Sequence, residues 1–265
     1  GIEYGDMQLI AEAYWVMKKL LDLTNEEMAD VFARWNEGKL RSYLIEITAN
    51  ILRHKDKSGG YLIDKILDAA GQKGTGKWSV INAMELGMPL GLIATAVFER
   101  SLSAQKDLRH LASRQYQCQH TQPIYNKVEL VKNIFSALYA SKLVSYAQGF
   151  AVLQRASDAF DWHLDLASIA RMWRGGCIIR SIFLNDIAAA FEATDKPKHL
   201  LLAPYFKEEM KKQGFVISDL SVSLKDGSFA SLPFTASGTV RYDFELEHYL
   251  SDYPKLYYTW HLEVV

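Results

Sequence analysis

What most limits the fold of this chain is an internal repeat written in helical segments. Tyr4-Gly5-Asp6-Met7-Gln8-Leu9-Ile10-Ala11 has a counterpart in Tyr146-Ala147-Gln148-Gly149-Phe150-Ala151-Val152-Leu153, and the stretch from Met28 to Trp35 has one from Leu166 to Trp173. Each half runs from a longer apolar stripe to a shorter one ending in Trp, then to a Gly and an Arg-Ser pair, Arg41-Ser42 and Arg180-Ser181. A duplicated helical unit is therefore expected.

The periodicity around these units is helical as well. Leu9, Ala13, Val16 and Leu20 form one stripe, which predicts a helix over 7–21. Thr24-Asn25-Glu26-Glu27 reads as a cap followed by acidic first-turn residues and opens the next helix. Further helices are expected over 40–52, 61–70, 78–86, 90–104, 124–156, 168–172, 177–191 and 200–212. The fold class is all-α: a large multi-helix domain over 1–212 with a tail over 213–265. Past Phe215 the pattern turns β-branched and Gly/Ser-rich, so the tail is expected to be irregular or partly β, with strands over 218–224, 239–244 and 256–265.

Composition narrows the function classes. The 265 residues are 49% hydrophobic and 23% charged, enough to bury a large core. Thirty basic residues against 31 acidic ones leave a net charge of -1, so nothing draws the whole molecule to nucleic acid or an anionic membrane, and any anion site must be local. No apolar run reaches the roughly 20 residues of a membrane span. Cys118 and Cys177 form no CxxC pair and the seven histidines are scattered, which argues against a metal site and fits a cytoplasmic protein.

Gly71-Gln72-Lys73-Gly74-Thr75-Gly76-Lys77-Trp78 has the G-x-x-x-x-G-K spacing of a P-loop, but Trp78 stands where the Mg²⁺-binding hydroxyl belongs and a helix, not a strand, is expected before it. Without the nucleotide reading, the segment still offers glycines that admit a ligand to the backbone, two lysines, the Thr75 hydroxyl and the N–H groups of the next helix at Trp78. Those parts suit a phosphate monoester, and they suit a solvated turn equally well. Glu3 and Tyr4 sit at a helix start among apolar residues, where a carboxyl is either an acid or a partner of the helix dipole. Arg100 could fork onto a phosphate or pair with Glu99. Trp173-Arg174-Gly175-Gly176-Cys177 could be an anion-binding turn or two glycines allowing close helix packing, and packing is the preferred reading; Lys106, Arg109, Arg114, Lys127 and Lys132 are assigned to a solvated face.

In the same order along the chain, five segments resemble the C-terminal domain of the decarboxylating 6-phosphogluconate dehydrogenases. They are Gly1 to Gln8, Leu44-Ile45-Glu46-Ile47-Thr48, Asp64 to Asp68 leading into Gly71 to Trp78, Phe98 to Ser103, and Ile169 to Arg180. The resemblance covers about 1–210. It implies oxidation of 6-phosphogluconate at C3 with NADP, decarboxylation, and protonation of the enediol to ribulose 5-phosphate, without a metal. It further implies Glu3 as the catalytic acid, Tyr4, Lys73, Thr75 and Arg100 as phosphate ligands, and a homodimer.

The family's Lys base, its His-Asn pair and its NADP-binding Rossmann domain would precede Gly1 and are absent from this sequence. No NADP binding and no turnover are therefore expected of this chain alone. The family tail reaches the neighbouring subunit with an Arg and a His, but the surroundings of Arg241 and His248 differ, and neither is given a role. The alternative reading is a non-catalytic helical dimerisation or interaction module derived from this family.

Overall fold

A computed structural model of the chain describes residues 1–116 and 126–213 together with two short strands, 236–239 and 261–264. Cys118, Arg241, His248 and the strand expected over 218–224 lie outside the described residues.

The described body is helical. In chain order it holds α1 (Ile2–Lys19), α2 (Asn25–Asn36), α3 (Tyr43–Arg53), α4 (Thr75–Glu85), α5 (Gly91–Ala104), α6 (Lys106–Gln115), α7 (Lys127–Ala159), α8 (Leu166–Met172), α9 (Leu184–Glu192) and α10 (Pro204–Lys212). β1 (Ala236–Thr239) and β2 (His261–Val264) pair antiparallel; of the strands expected over 239–244 and 256–265, Thr239 and 261–264 fall in this pair and the other positions lie outside the described residues.

Local chemistry accounts for several boundaries. At α2 the Thr24 side chain accepts from the Glu27 N–H while the Glu27 carboxylate accepts from the Thr24 N–H, a reciprocal capping box. Asn126 caps α7 and Asp165 caps α8 in the simpler one-way form. Pro204 opens α10, where its missing N–H costs nothing.

The repeat is visible as packing. α1 crosses α7, α2 packs on α3, and α8 packs on α9. The buried residues of α3, Leu44, Ile45, Ala49 and Leu52, correspond at one constant offset to Phe183, Leu184, Ala188 and Phe191 of the α9 segment. Between the halves, the Tyr43 N–H donates to the Arg180 carbonyl (3.0 Å) and the Ile182 N–H to the Arg41 carbonyl (2.9 Å), bridging Ser42 to Ser181. Each bond is the other's image under the repeat, so this bridge marks the approximate two-fold between the halves.

At the α1/α7 crossing the core contains a buried ion pair. Lys142 donates to Asp6 at 2.5 Å, with exposures of 0% and 1%, so neither charge reaches solvent. The Tyr146 hydroxyl donates to the Ile179 carbonyl at 2.5 Å with Asp6 at 3.3 Å. Burial pushes the Asp6 carboxyl up and Lys142 opposes that shift. A second buried acid, Glu209, is paired with Lys39 and accepts from the Tyr139 hydroxyl (3.1 Å), which fastens α10 to the body.

Four expectations need correction. Residues 61–70 are not a helix: only Leu62–Lys65 forms a 3-10 turn, and Ile66 and Leu67 face outward, so their apolar spacing has no core to serve. Residues 177–183 leave helical geometry to make the bridge to 41–43. A Cβ at Gly175 or Gly176 would meet nothing within 4 Å, which excludes close packing as their reason; Gly176 is instead needed for its φ of +63°. Finally, residues 106–115 form a helix, α6, that none of the expected elements covered.

Candidate phosphate-binding site

The first turn of α1 is held in place from two sides by glycines. From α7, Gly149 lies so close that a Cβ there would fall 2.4 Å from Ile2 Cδ1, and a Cβ on Gly5 would fall 2.4 Å from Ser145 Oγ. From α4, a Cβ on Gly76 would fall 2.5 Å from the Tyr4 ring. No side chain fits at these positions, so Glu3 and Tyr4 are presented by a turn with little room to shift. Glu3 is half-buried and Tyr4 is buried.

The Tyr4 ring is also covered by Arg100, whose guanidinium carbon sits 4.0 Å from the ring centroid. Arg100 also donates to the Gly71 carbonyl (3.3 Å), joining α5 to the Gly-rich segment. It does not pair with Glu99, the bland alternative for it. Its guanidinium thus touches both the α1 turn and the loop.

The loop ends at Gly74, whose φ of +103° only glycine adopts without strain. Helix α4 starts at Thr75, three residues earlier than expected, and the Trp78 N–H already donates to the Gly74 carbonyl at 2.9 Å. The N–H groups left for an anion are accordingly those of Thr75, Gly76 and Lys77, not that of Trp78. Lys73 and Thr75 are exposed, and the Lys73 ammonium has no partner among the described residues.

Tyr4, Arg100 and the Gly71 to Gly76 segment therefore meet in one place, with Glu3 on the same helical turn as Tyr4 and with Lys73 and Thr75 free toward solvent. A guanidinium, an ammonium, a hydroxyl and helix-start amides are the donors that a phosphate monoester accepts from. A nucleotide P-loop is excluded on geometry, since a coil precedes Gly71 where that motif requires a strand.

Sequence reasoning missed what holds this loop in shape. Arg109, expected on a solvated face, donates to the Asp68 carboxylate (2.9 Å), to the Asp68 carbonyl and to the Ser103 carbonyl (2.9 Å). The Asp6–Lys142 pair was missed too, although a lysine inside the apolar stretch of α7 and an aspartate inside that of α1 were the available signal.

Comparison with known proteins gives the family of the chain. The family model for the 6-phosphogluconate dehydrogenase C-terminal domain matches residues 1–224. A decarboxylating 6-phosphogluconate dehydrogenase of Caenorhabditis elegans is 53% identical over 209 residues, covering 78% of this chain and 43% of the relative. One from Lactococcus lactis subsp. cremoris is 48% identical over 244 residues, 92% of this chain and 52% of the relative, so that match runs into the tail.

Among solved structures, the 6-phosphogluconate dehydrogenase of Plasmodium falciparum, described in apo form and in complex with its cofactor NADP+ and its substrate 6-phosphogluconate, superposes with a TM-score of 0.77. It is 44% identical over 80% of this chain and 46% of that one. The chain spans about half the length of the relatives it matches. With the helical body, the duplicated unit and the matched segment all in agreement, this chain belongs to the 6-phosphogluconate dehydrogenase C-terminal domain family.

Proposed function

We propose that residues 1–212 are the substrate-binding and dimerisation domain of a decarboxylating 6-phosphogluconate dehydrogenase, followed by a divergent tail over 213–265. In this reading Tyr4, Lys73, Thr75 and Arg100 bind the phosphate of 6-phosphogluconate. Glu3, one residue before Tyr4 and half-buried, supplies the proton to the enediol carbon. The observation that supports the reading is the contact of Arg100 with both the Tyr4 ring and the Gly71 carbonyl, which ties the guanidinium to the loop that carries the exposed Lys73 and Thr75.

NADP serves the whole relatives as hydride acceptor, and the described residues do not fit it. Gly74-Thr75-Gly76 opens a helix, but no strand leads into it, so a dinucleotide pyrophosphate has no strand-to-helix turn to lie on. Hydride transfer falls to a Rossmann domain joined to or paired with this one, and the chain alone binds the sugar phosphate without turning it over. We place the protein in the cytoplasm and as a homodimer. No helix among the described residues is long and apolar enough to cross a membrane, and exposed Trp78, Ile81, Phe98 and Leu102 offer apolar surface for a second copy.

The test is a titration of the 265-residue chain with 6-phosphogluconate, followed by thermal shift and calorimetry. Ligand at a hundredfold excess over Kd stabilises the folded state by about 2.7 kcal/mol. Lys73→Ala and Arg100→Ala are each expected to remove that stabilisation. No response at millimolar ligand sinks the proposal.

A further inference from the structure

Between the 3-10 turn that ends at Lys65 and the start of α4 at Thr75, the chain has no regular structure, yet it must present Lys73 and Thr75 at fixed positions. Its shape comes from side chains of α5 and α6. The Ala70 N–H donates to Ser103 Oγ (3.0 Å) and the Gln72 amide to Ser101 Oγ (3.2 Å), while Ser101 turns its own proton to the Val97 carbonyl (3.0 Å). Arg109 then holds the loop at its beginning. One guanidinium nitrogen meets the Asp68 carboxylate, and the other meets the backbone carbonyls of Asp68 and Ser103.

We infer that Arg109 is a positioning residue for the phosphate-binding loop, acting through Asp68 and Ser103 on the placement of Lys73 and Thr75. The inference rests on the phosphate-site reading above. An exposed ion pair alone would carry little, and the Asp68 carboxylate is 76% exposed. What distinguishes Arg109 is that its planar fork holds three acceptors at once, one nitrogen on the Asp68 carboxylate and the other on the backbone carbonyls of Asp68 and Ser103, a fixed two-nitrogen arrangement that the single ammonium of a lysine does not reproduce. Because α6 contributes no buried residue, changing Arg109 leaves the core intact. A loss of ligand affinity would then report loop geometry and not unfolding.

The experiment compares the wild-type chain with Arg109→Gln, Arg109→Lys and, as a control, Arg53→Gln, which breaks the exposed pair with Asp30. Affinity for 6-phosphogluconate is measured by calorimetry, and hydrogen exchange is measured over residues 69–76. Arg109→Gln is expected to weaken binding roughly fivefold and speed exchange in that window with an almost unchanged melting temperature. Arg53→Gln is expected to change neither quantity.

Arg109→Lys keeps the charge but loses the fork, so it should stay weaker than wild type; full recovery in that variant overturns the inference in favour of simple attraction of the anion. Wild-type affinity and exchange in Arg109→Gln overturn it outright. If the wild-type chain does not bind, the phosphate reading beneath is what fails, and the exchange rates alone then decide whether Arg109 anchors the loop.

Discussion

Gly76 shows how little tolerance the site has for a single methyl group. On helix propensity alone, Gly76→Ala inside α4 would gain up to about 1 kcal/mol. The added Cβ would instead lie 2.5 Å from the Tyr4 ring, and overpacking of that kind costs about 1–3 kcal/mol. The clash wins, so Gly76→Ala should lower the denaturation midpoint and weaken 6-phosphogluconate binding together, as urea melts and calorimetry would record. A stable variant with unchanged affinity would mean that the ring is free to move.

Glu12, two turns along α1 from Tyr4, makes a prediction in pH. Burial raises its carboxyl to about 7, the Gln8 amide bond (2.9 Å) opposes the rise, and the nearby Glu99 adds to it. The unfolded chain gives up this proton near the ordinary glutamate value, while the folded chain keeps it until about 7. Stability therefore falls as pH rises through that interval and remains lower above it. Glu12→Gln should flatten the decline and stabilise the protein at alkaline pH by roughly 1–3 kcal/mol, read from denaturation midpoints across the interval.

The sequence made the loop residues legible because glycine, lysine and threonine at close spacing carry their meaning locally. The stacking of Arg100 on Tyr4 was not legible, because it joins helices far apart in the chain and no periodicity records which arginine covers which ring.

Among the elements, α1 and α7 matter most, because their crossing encloses the only fully buried ion pair among the described residues. Removing one partner leaves an uncompensated charge, so Lys142→Met should cost about 3–5 kcal/mol, whereas Asp6→Asn combined with Lys142→Met should cost clearly less than the lysine change alone. Equilibrium denaturation of the single and double variants measures the difference, and additive losses would exclude a coupled pair.

The helices that were legible are those with a stripe facing the core. The segment 61–70 has helical spacing but turns Ile66 and Leu67 to solvent, and α6 has few apolar residues and buries none, so the stripe misled in one case and was missing in the other. In 177–183 the long-range bridge overrode local propensity, a contest that no window along the sequence can display.

At the scale of the whole molecule, the all-helical body, the family match over 1–224 and the constant offset between 41–52 and 180–191 were all expected in kind, so the architecture was the most legible level of all. The tail was the least. Its composition announced β character, but pairing between Ala236–Thr239 and His261–Val264 depends on register across a long intervening stretch, which alternation alone does not fix.

The bridge at Ser42 and Ser181 also has a consequence for how the protein comes off the ribosome. The first half emerges with the backbone of residues 41–43 unpaired and with Asp6 facing a place that Lys142 has yet to fill. Its core would have to close over a lone carboxylate, so a nascent chain halted before residue 142 should remain open to protease and to chaperones. Only after residue 182 has cleared the exit tunnel can both halves lock, which makes the second unit of the repeat the template on which the first one sets.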